Sequence, residues 1–262
     1  GYGFMVDFAE ATPDPLNPLP RAGVFGAVSW FAMPAWKSPT YLGEAEASRS
    51  GTSEQVDWES AIQEGRKRSA TVYLPVGYNE SQDTRYPTLY VLDGGVAMSQ
   101  GAFKNTLDNL INDRIEPVIA VFVPTDPETE GGIIWPTEKY NERVASELVP
   151  MIDERYRTVR EASRRAVVGA TNAGDAAFYS AFHYPEVFGR VGGLWPIVFQ
   201  QNLTKEIPNP ADQPLVIYQT WGRYHIRSPH EAWDQVMDNR TLFAELREKG
   251  YHPAGGEVPE GF

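Results

Sequence analysis

From about residue 50 onward, short apolar runs alternate with longer stretches whose apolar positions recur every three to four residues. Residues 69–74 (SATVYL) form a β-branched and aromatic run stopped by Pro75 and Gly77. Residues 88–92 (TLYVL) are nearly all apolar and end in Asp93-Gly94-Gly95, and residues 117–123 (PVIAVFV) are closed by Pro124. Strands this continuously apolar are buried on both faces, as in parallel sheets covered by helices. Helical periodicity predicts helices over 102–114 and 139–156. A strand over 165–169 (RAVVG) then leads through a small-residue turn into a helix reaching about His183. A late strand over 215–220 (LVIYQT) precedes a long helix over 232–249 that Gly250 ends, and a final strand follows His252. The alternation predicts an α/β fold, with a mostly parallel central sheet flanked by helices.

The first fifty residues follow a different pattern. Residues 11–20 (ATPDPLNPLP) hold Pro13, Pro15, Pro18 and Pro20, and a ring that fixes φ and removes a donor keeps such a piece extended. An ordered arm of this kind has to be tied either to its own domain or to a neighbouring chain. Trp30, Phe31, Trp36 and Tyr41 cluster just after it. They fit a β-segment packed on the domain or, more sharply, an aromatic docking surface. The expected organisation is an N-terminal extension over 1–50 and one α/β domain over 51–262. The arm would be the contact to a protein partner or to a second copy.

Composition narrows the function classes. The formal charge of −12 repels phosphate backbones and anionic membranes, so no nucleic-acid partner is expected. The absence of Cys removes disulfides, thiolate metal sites and a Cys nucleophile. No run approaches the ~20 apolar residues of a membrane span. The chain opens without an initiator Met, so it reads as processed, trimmed or tagged, and the absence of Cys is compatible with a secreted or periplasmic location. There is no G-x-x-x-x-G-K, no G-x-G-x-x-G after a strand, no H-E-x-x-H and no Ca²⁺-loop pattern, so neither cofactor nor metal is expected.

The most informative segment is RAVVGATNAGDAAFYSAFHYPEVFG, residues 165–189. A strand, a turn of small residues and a helix form the G-x-S-x-G corner. There a strained residue lifts its hydroxyl above the sheet, and the next N–H faces the developing oxyanion. Here the corner reads Gly169-Ala170-Thr171-Asn172-Ala173, with Gly174 following. With VYLPVGYN (72–79), RYPTLYVLDGG (85–95), SELVPMIDERYRT (146–158), WGRYHIRS (221–228) and GYHPAGGEVPEGF (250–262), the chain resembles the "putative esterase" family of α/β-hydrolases. That family includes enterochelin-type esterases, S-formylglutathione hydrolases, feruloyl esterases and mycolyltransferases. The resemblance covers about residues 55–262 and implies an α/β-hydrolase fold.

It also implies where a catalytic triad would sit. Thr171 holds the nucleophile slot. His225 stands where relatives read the acid of G-x-Y-D, and Phe262 stands where they read the histidine of P-x-G-H. The implied oxyanion donors are the backbone N–H groups of Gly95, or its neighbour Val96, and of Asn172. A hydroxyl is a poor nucleophile until a base takes its proton, and a phenyl ring cannot do that. The leading expectation is therefore an esterase-like protein that has lost its chemistry and acts as a structural or binding component, perhaps of a larger assembly. The rival is a carboxylic-ester hydrolase or acyltransferase in which His225 acts as base for Thr171. A third reading is a fragment, since relatives continue past the histidine motif into a final helix. His183 lies about three turns along the elbow helix, His230 near the start of the long helix, and His252 at the opposite end of the sheet. Asp175, in the first turn of the elbow helix, is read as a carboxylate favouring the helix dipole.

Overall fold

The computed structural model describes residues 4, 12–17, 19–23, 26–32, 34, 36–125, 138–198, 203–224, 227–228 and 233–259. It falls into two units, Gly1–Gly43 and Glu44–Phe262. In the first unit, strands β1 (Pro20–Gly23) and β2 (Gly26–Ser29) form an antiparallel hairpin. The Pro-rich arm is bonded to it. Asp14 N–H donates to Ser29 Oγ at 2.8 Å, and the Asn17 side-chain amide donates to the Trp30 carbonyl at 3.0 Å.

The second unit is built on one eight-stranded sheet of order β12-β9-β8-β7-β5-β6-β4-β3. Its strands are β3 (Thr52–Ser60), β4 (Arg66–Leu74), β5 (Thr88–Leu92), β6 (Ile119–Val123), β7 (Arg165–Ala170), β8 (Arg190–Leu194), β9 (Val216–Gly222) and β12 (Ala254–Val258). The two-residue strands β10 (Arg227–Ser228) and β11 (Trp233–Asp234) pair separately. From β12 to β6 every pairing is parallel. Only β4, paired to both β6 and β3, runs antiparallel. All parallel strands therefore end at one edge, where open α/β sheets place their ligands.

The helices are α1 (Gly94–Ser99), α2 (Phe103–Leu110), α3 (Glu138–Arg143), α4 (Val149–Arg155), α5 (Asn172–His183), α6 (Leu203–Glu206) and α7 (Gln235–Glu248). The larger core joins Val72, Tyr90, Val121 and Val167 of the sheet to Leu148 and Ile152, to Ala177 and Phe178 of α5, and to Leu242 of α7. On the other face, Tyr73, Val91, Ala120 and Phe122 pack with Leu107 of α2. A part-buried ion pair, Arg165 to Asp153 at 2.7 Å, fixes the start of β7 against α4. Among the described residues no helix is long and apolar enough to cross a membrane.

Candidate functional site

The turn from β7 to α5 sits at the carboxyl edge. Thr171 occupies it with φ 53° and ψ −122°. A β-branched residue at positive φ is a steric outlier, and this ψ lies outside even the left-handed helical well. The surroundings hold it there. Thr171 N–H donates to Leu194 O at 3.0 Å, and its carbonyl accepts from Gly174 at 3.0 Å and from Asp175 and Ile197 at 3.2 Å. The small flanking residues are a packing requirement. A Cβ on Gly169 would lie 2.1 Å from Ala173 O, and one on Gly174 would lie 3.1 Å from Pro196 Cα. The backbone of a nucleophile elbow is therefore present, as the motif predicts.

The Thr171 side chain does not cap the helix it precedes, and its hydroxyl has no hydrogen-bond partner among the described residues. His225 and Phe262, the acid and histidine slots of the resemblance, lie outside the described residues, as does His230. Their loops leave from paired positions. Gly222 and Val258 are register partners, and Arg223 N–H donates to Val258 O at 3.1 Å. Arg223 and Arg240 both hold Glu257, at 2.9 and 2.6 Å, which ties the two strand ends to α7.

The described histidines are placed elsewhere. His183 closes α5, about 16 Å along the axis from its first residue. Its ring stacks on Tyr179 at 3.9 Å, its Nδ1 is 3.0 Å from Tyr179 O, and its Nε2 is 3.8 Å from Glu206. His252 precedes β12 and so lies at the amino edge of the parallel strands.

The two residues expected to supply oxyanion donors head neighbouring helices. Asn172 opens α5, and Gly95 is the second residue of α1; first-turn N–H groups have no partner within their own helix. Both turns follow neighbouring strands, since Val91 of β5 pairs with Val168 of β7. Gly95 is exposed, with nothing within 4 Å of where a Cβ would stand. Gly94 behind it has no such room, with Phe122 backbone at 2.5 Å.

One residue here has a different character from that read in the sequence. Asp175 is fully buried, and neither carboxylate oxygen has a hydrogen-bond partner. Burial, with a smaller contribution from Glu206, pushes its carboxyl up to about 8. At neutral pH the group is mostly protonated, so the negative charge expected at the head of α5 is largely suppressed. Nothing in the sequence marks it, because an acidic first-turn residue is ordinarily solvated.

No cluster of three or more metal-ligating side chains occurs among the described residues. Residues 60–257 match the family model described as "Putative esterase". Among curated sequences, the chain is 28% identical over 185 residues to the endo-1,4-beta-xylanase/feruloyl esterase of Xylanibacter ruminicola. The match takes in 65% of this chain but only 25% of that enzyme. It is 22% identical over 205 residues to YbbA of Bacillus subtilis, covering 70% of this chain and 80% of that one. Among solved structures, the enterobactin esterase FES from Shigella flexneri superposes with a TM-score of 0.74 at 21% identity, over 96% of this chain and 65% of that one. The ferulic acid esterase AmCE1/Fae1A from Anaeromyces mucronatus, solved with ferulic acid, gives 0.68 at 18% identity, over 86% and 89%.

Proposed function

Since the chain belongs to the putative esterase family of α/β-hydrolases, we propose that it keeps the family's scaffold as a binding or structural component and does not run triad chemistry at its elbow. The observation that carries this reading is the Thr171 hydroxyl, held at the corner with no acceptor for its proton among the described residues. Ser or Thr attack on an ester needs a base within about 3 Å of that hydroxyl. The chain's substitutions in the acid and histidine slots, His225 and Phe262, support the same conclusion. Enzymes stripped of triad members retain only ~10³–10⁴-fold catalysis over water, from the oxyanion site and binding alone. The N–H groups of Gly95 and Asn172 are assigned as that residual oxyanion pair.

Purified protein should hydrolyse p-nitrophenyl acetate at a rate near that of buffer, and Thr171→Ala should leave the rate where it was. A rate far above buffer that Thr171→Ala abolishes overturns the proposal.

A second reading draws on the strain at Thr171, since unfavourable backbone geometry gathers at working sites. In it, Thr171 attacks a carboxylic ester or transfers its acyl group, and His225 takes the proton. This reading requires a pH–rate limb near a histidine pKa and loss of activity in His225→Ala.

A further inference from the structure

Asp175 lies in the first turn of α5, fully buried, with Oδ1 and Oδ2 both lacking a hydrogen-bond partner. A second orphan lies on the same turn: the side-chain Oδ1 of Asn172, three residues earlier, is also buried and unpartnered. Residues three apart share one face of a helix, so two unsatisfied acceptors stand side by side at the head of α5. The Asp175 N–H donates to Thr171 O at 3.2 Å, and Gly174 N–H donates to the same oxygen at 3.0 Å. The turn that buries this carboxyl is thus the turn that carries the elbow. Packed on α5 are α3, α6, β5, β7 and β8. Their charged groups are Glu138, Lys139, Glu142 and Arg143 of α3, Lys205 and Glu206 of α6, and Arg165 and Arg190 at the starts of β7 and β8. Tyr140 of α3, Tyr90 of β5, and Tyr179 and His183 of α5 itself complete the titratable set. Of all these, Glu206 alone acts on the Asp175 carboxyl, and it repels a negative charge there. Within the closed turn an ionised Asp175 has neither water nor a donor, and only the helix dipole favours it.

We propose that Asp175 is a proton-controlled latch on the elbow. With its proton, the side chain stays inside and the first turn of α5 is closed; when the proton leaves, that turn opens locally and carries the carboxylate into water. Burial sets the direction. It raises the closed-state carboxyl to about 8, whereas a carboxyl opened to water keeps its ordinary value near 3.8. Between these values the closed form binds more protons than the open form. The closed-to-open ratio therefore falls about tenfold per pH unit in that window and levels off above it. The corner is tight in acid and looser toward neutral pH. The consequence for binding rests on the assignment of Asn172 N–H as an oxyanion donor: opening the turn withdraws that donor, so a ligand oxyanion held at the corner is released as pH rises. The latch itself does not depend on whether Thr171 has a base.

The test is hydrogen exchange of the full chain, read by mass spectrometry at pH 5 and pH 7 and corrected for the intrinsic pH dependence of amide exchange. Protection over residues 174–178 should lie below that over β6 and should fall about a hundredfold between the two pH values. Asp175→Asn keeps the shape and cannot ionise, so there the same amides should hold their protection to within about threefold. Thermal melts at both pH values check that this variant is folded. Protection over 174–178 that does not change with pH in the wild-type chain would overturn the latch, and that outcome needs no variant. So would an equal fall in folded Asp175→Asn, or protection over 174–178 no lower than over β6. None of these readouts bears on Thr171 chemistry, so failure of the latch and failure of the non-catalytic reading are told apart.

Discussion

Two strand-to-helix corners stand side by side at the carboxyl edge and solve the same problem differently. Both place a non-glycine residue at positive φ, Asp93 at 56° after β5 and Thr171 at 53° after β7. In both, the residue four positions on donates to its carbonyl, Ala97 at 3.1 Å and Asp175 at 3.2 Å. Asp93 has ψ 45°, in the left-handed well that Asp tolerates. Thr171 has ψ −122° and a branched side chain, so it carries strain that its neighbour avoids. The first corner shows that turning a strand into a helix here does not require that strain. The excess at Thr171 belongs to the elbow geometry itself, which persists although its hydroxyl has no hydrogen-bond partner among the described residues.

Both corners depend on glycines with no space for a side chain, and their removal should have the largest effect. Gly169→Ala forces a Cβ to 2.1 Å from Ala173 O, and Gly94→Ala forces one to 2.5 Å from Phe122 backbone. Each should cost about 3–5 kcal/mol in urea unfolding. Gly95→Ala, with open space around it at a helical position, should be neutral or gain up to about 1 kcal/mol. If Gly94→Ala were as mild as Gly95→Ala, the shared packing requirement would not hold.

A smaller effect separates the two corners. Thr171→Gly relieves the unfavourable dihedrals and should stabilise the fold by about 1 kcal/mol, after the extra freedom of glycine in the unfolded chain. Asp93→Gly should change stability by only a few tenths, because the left-handed well costs Asp little. Equal gains at both positions would remove the distinction.

The last difference is electrostatic and sits four residues on from each corner, Ala97 against Asp175. Burial raises the folded-state Asp175 carboxyl to about 8, above its ordinary value near 3.8. The folded chain therefore binds more protons than the unfolded chain between these values, and stability falls as pH rises through that window. Asp175→Asn should flatten this fall and gain most over wild type near pH 8. Urea midpoints measured from pH 4 to 8 check it, and parallel wild-type and Asn curves would contradict the assignment.

Much of the scaffold was legible because parallel strands are apolar on both faces. The run 88–92 is β5 as observed, and 117–123 becomes β6 (Ile119–Val123) once its two leading residues are removed. β8 does not stand out, since Gly192 and Gly193 interrupt its apolar run. A Cβ at Gly193 would lie 2.5 Å from the Phe178 ring, so packing against α5 removed the side chain that would have marked the strand. β3 is hidden for another reason: of its nine residues only Val56 and Ser60 are buried.

The expected helix over 139–156 is interrupted by a π-turn, Val144–Leu148, just ahead of Pro150. A proline ring inside a helix clashes with the carbonyl four residues back, and the wider turn accommodates it. The long helix starts at Gln235 rather than 232, because the Asp234 side chain accepts from the Val236 and Met237 N–H groups and caps it there. At the site, the elbow was legible because tight turns demand small residues at fixed spacing. The burial of Asp175 was not, since it is set by what packs over α5 and not by its neighbours in sequence.

The account rests on Thr171 being an alcohol without a base. The most direct measurement treats the folded chain with a fluorophosphonate, which labels activated hydroxyl nucleophiles, and reads intact mass with peptide mapping. The account predicts no adduct on Thr171, and none on the serine in Thr171→Ser. Stoichiometric labelling of Thr171 in the wild-type chain would contradict it.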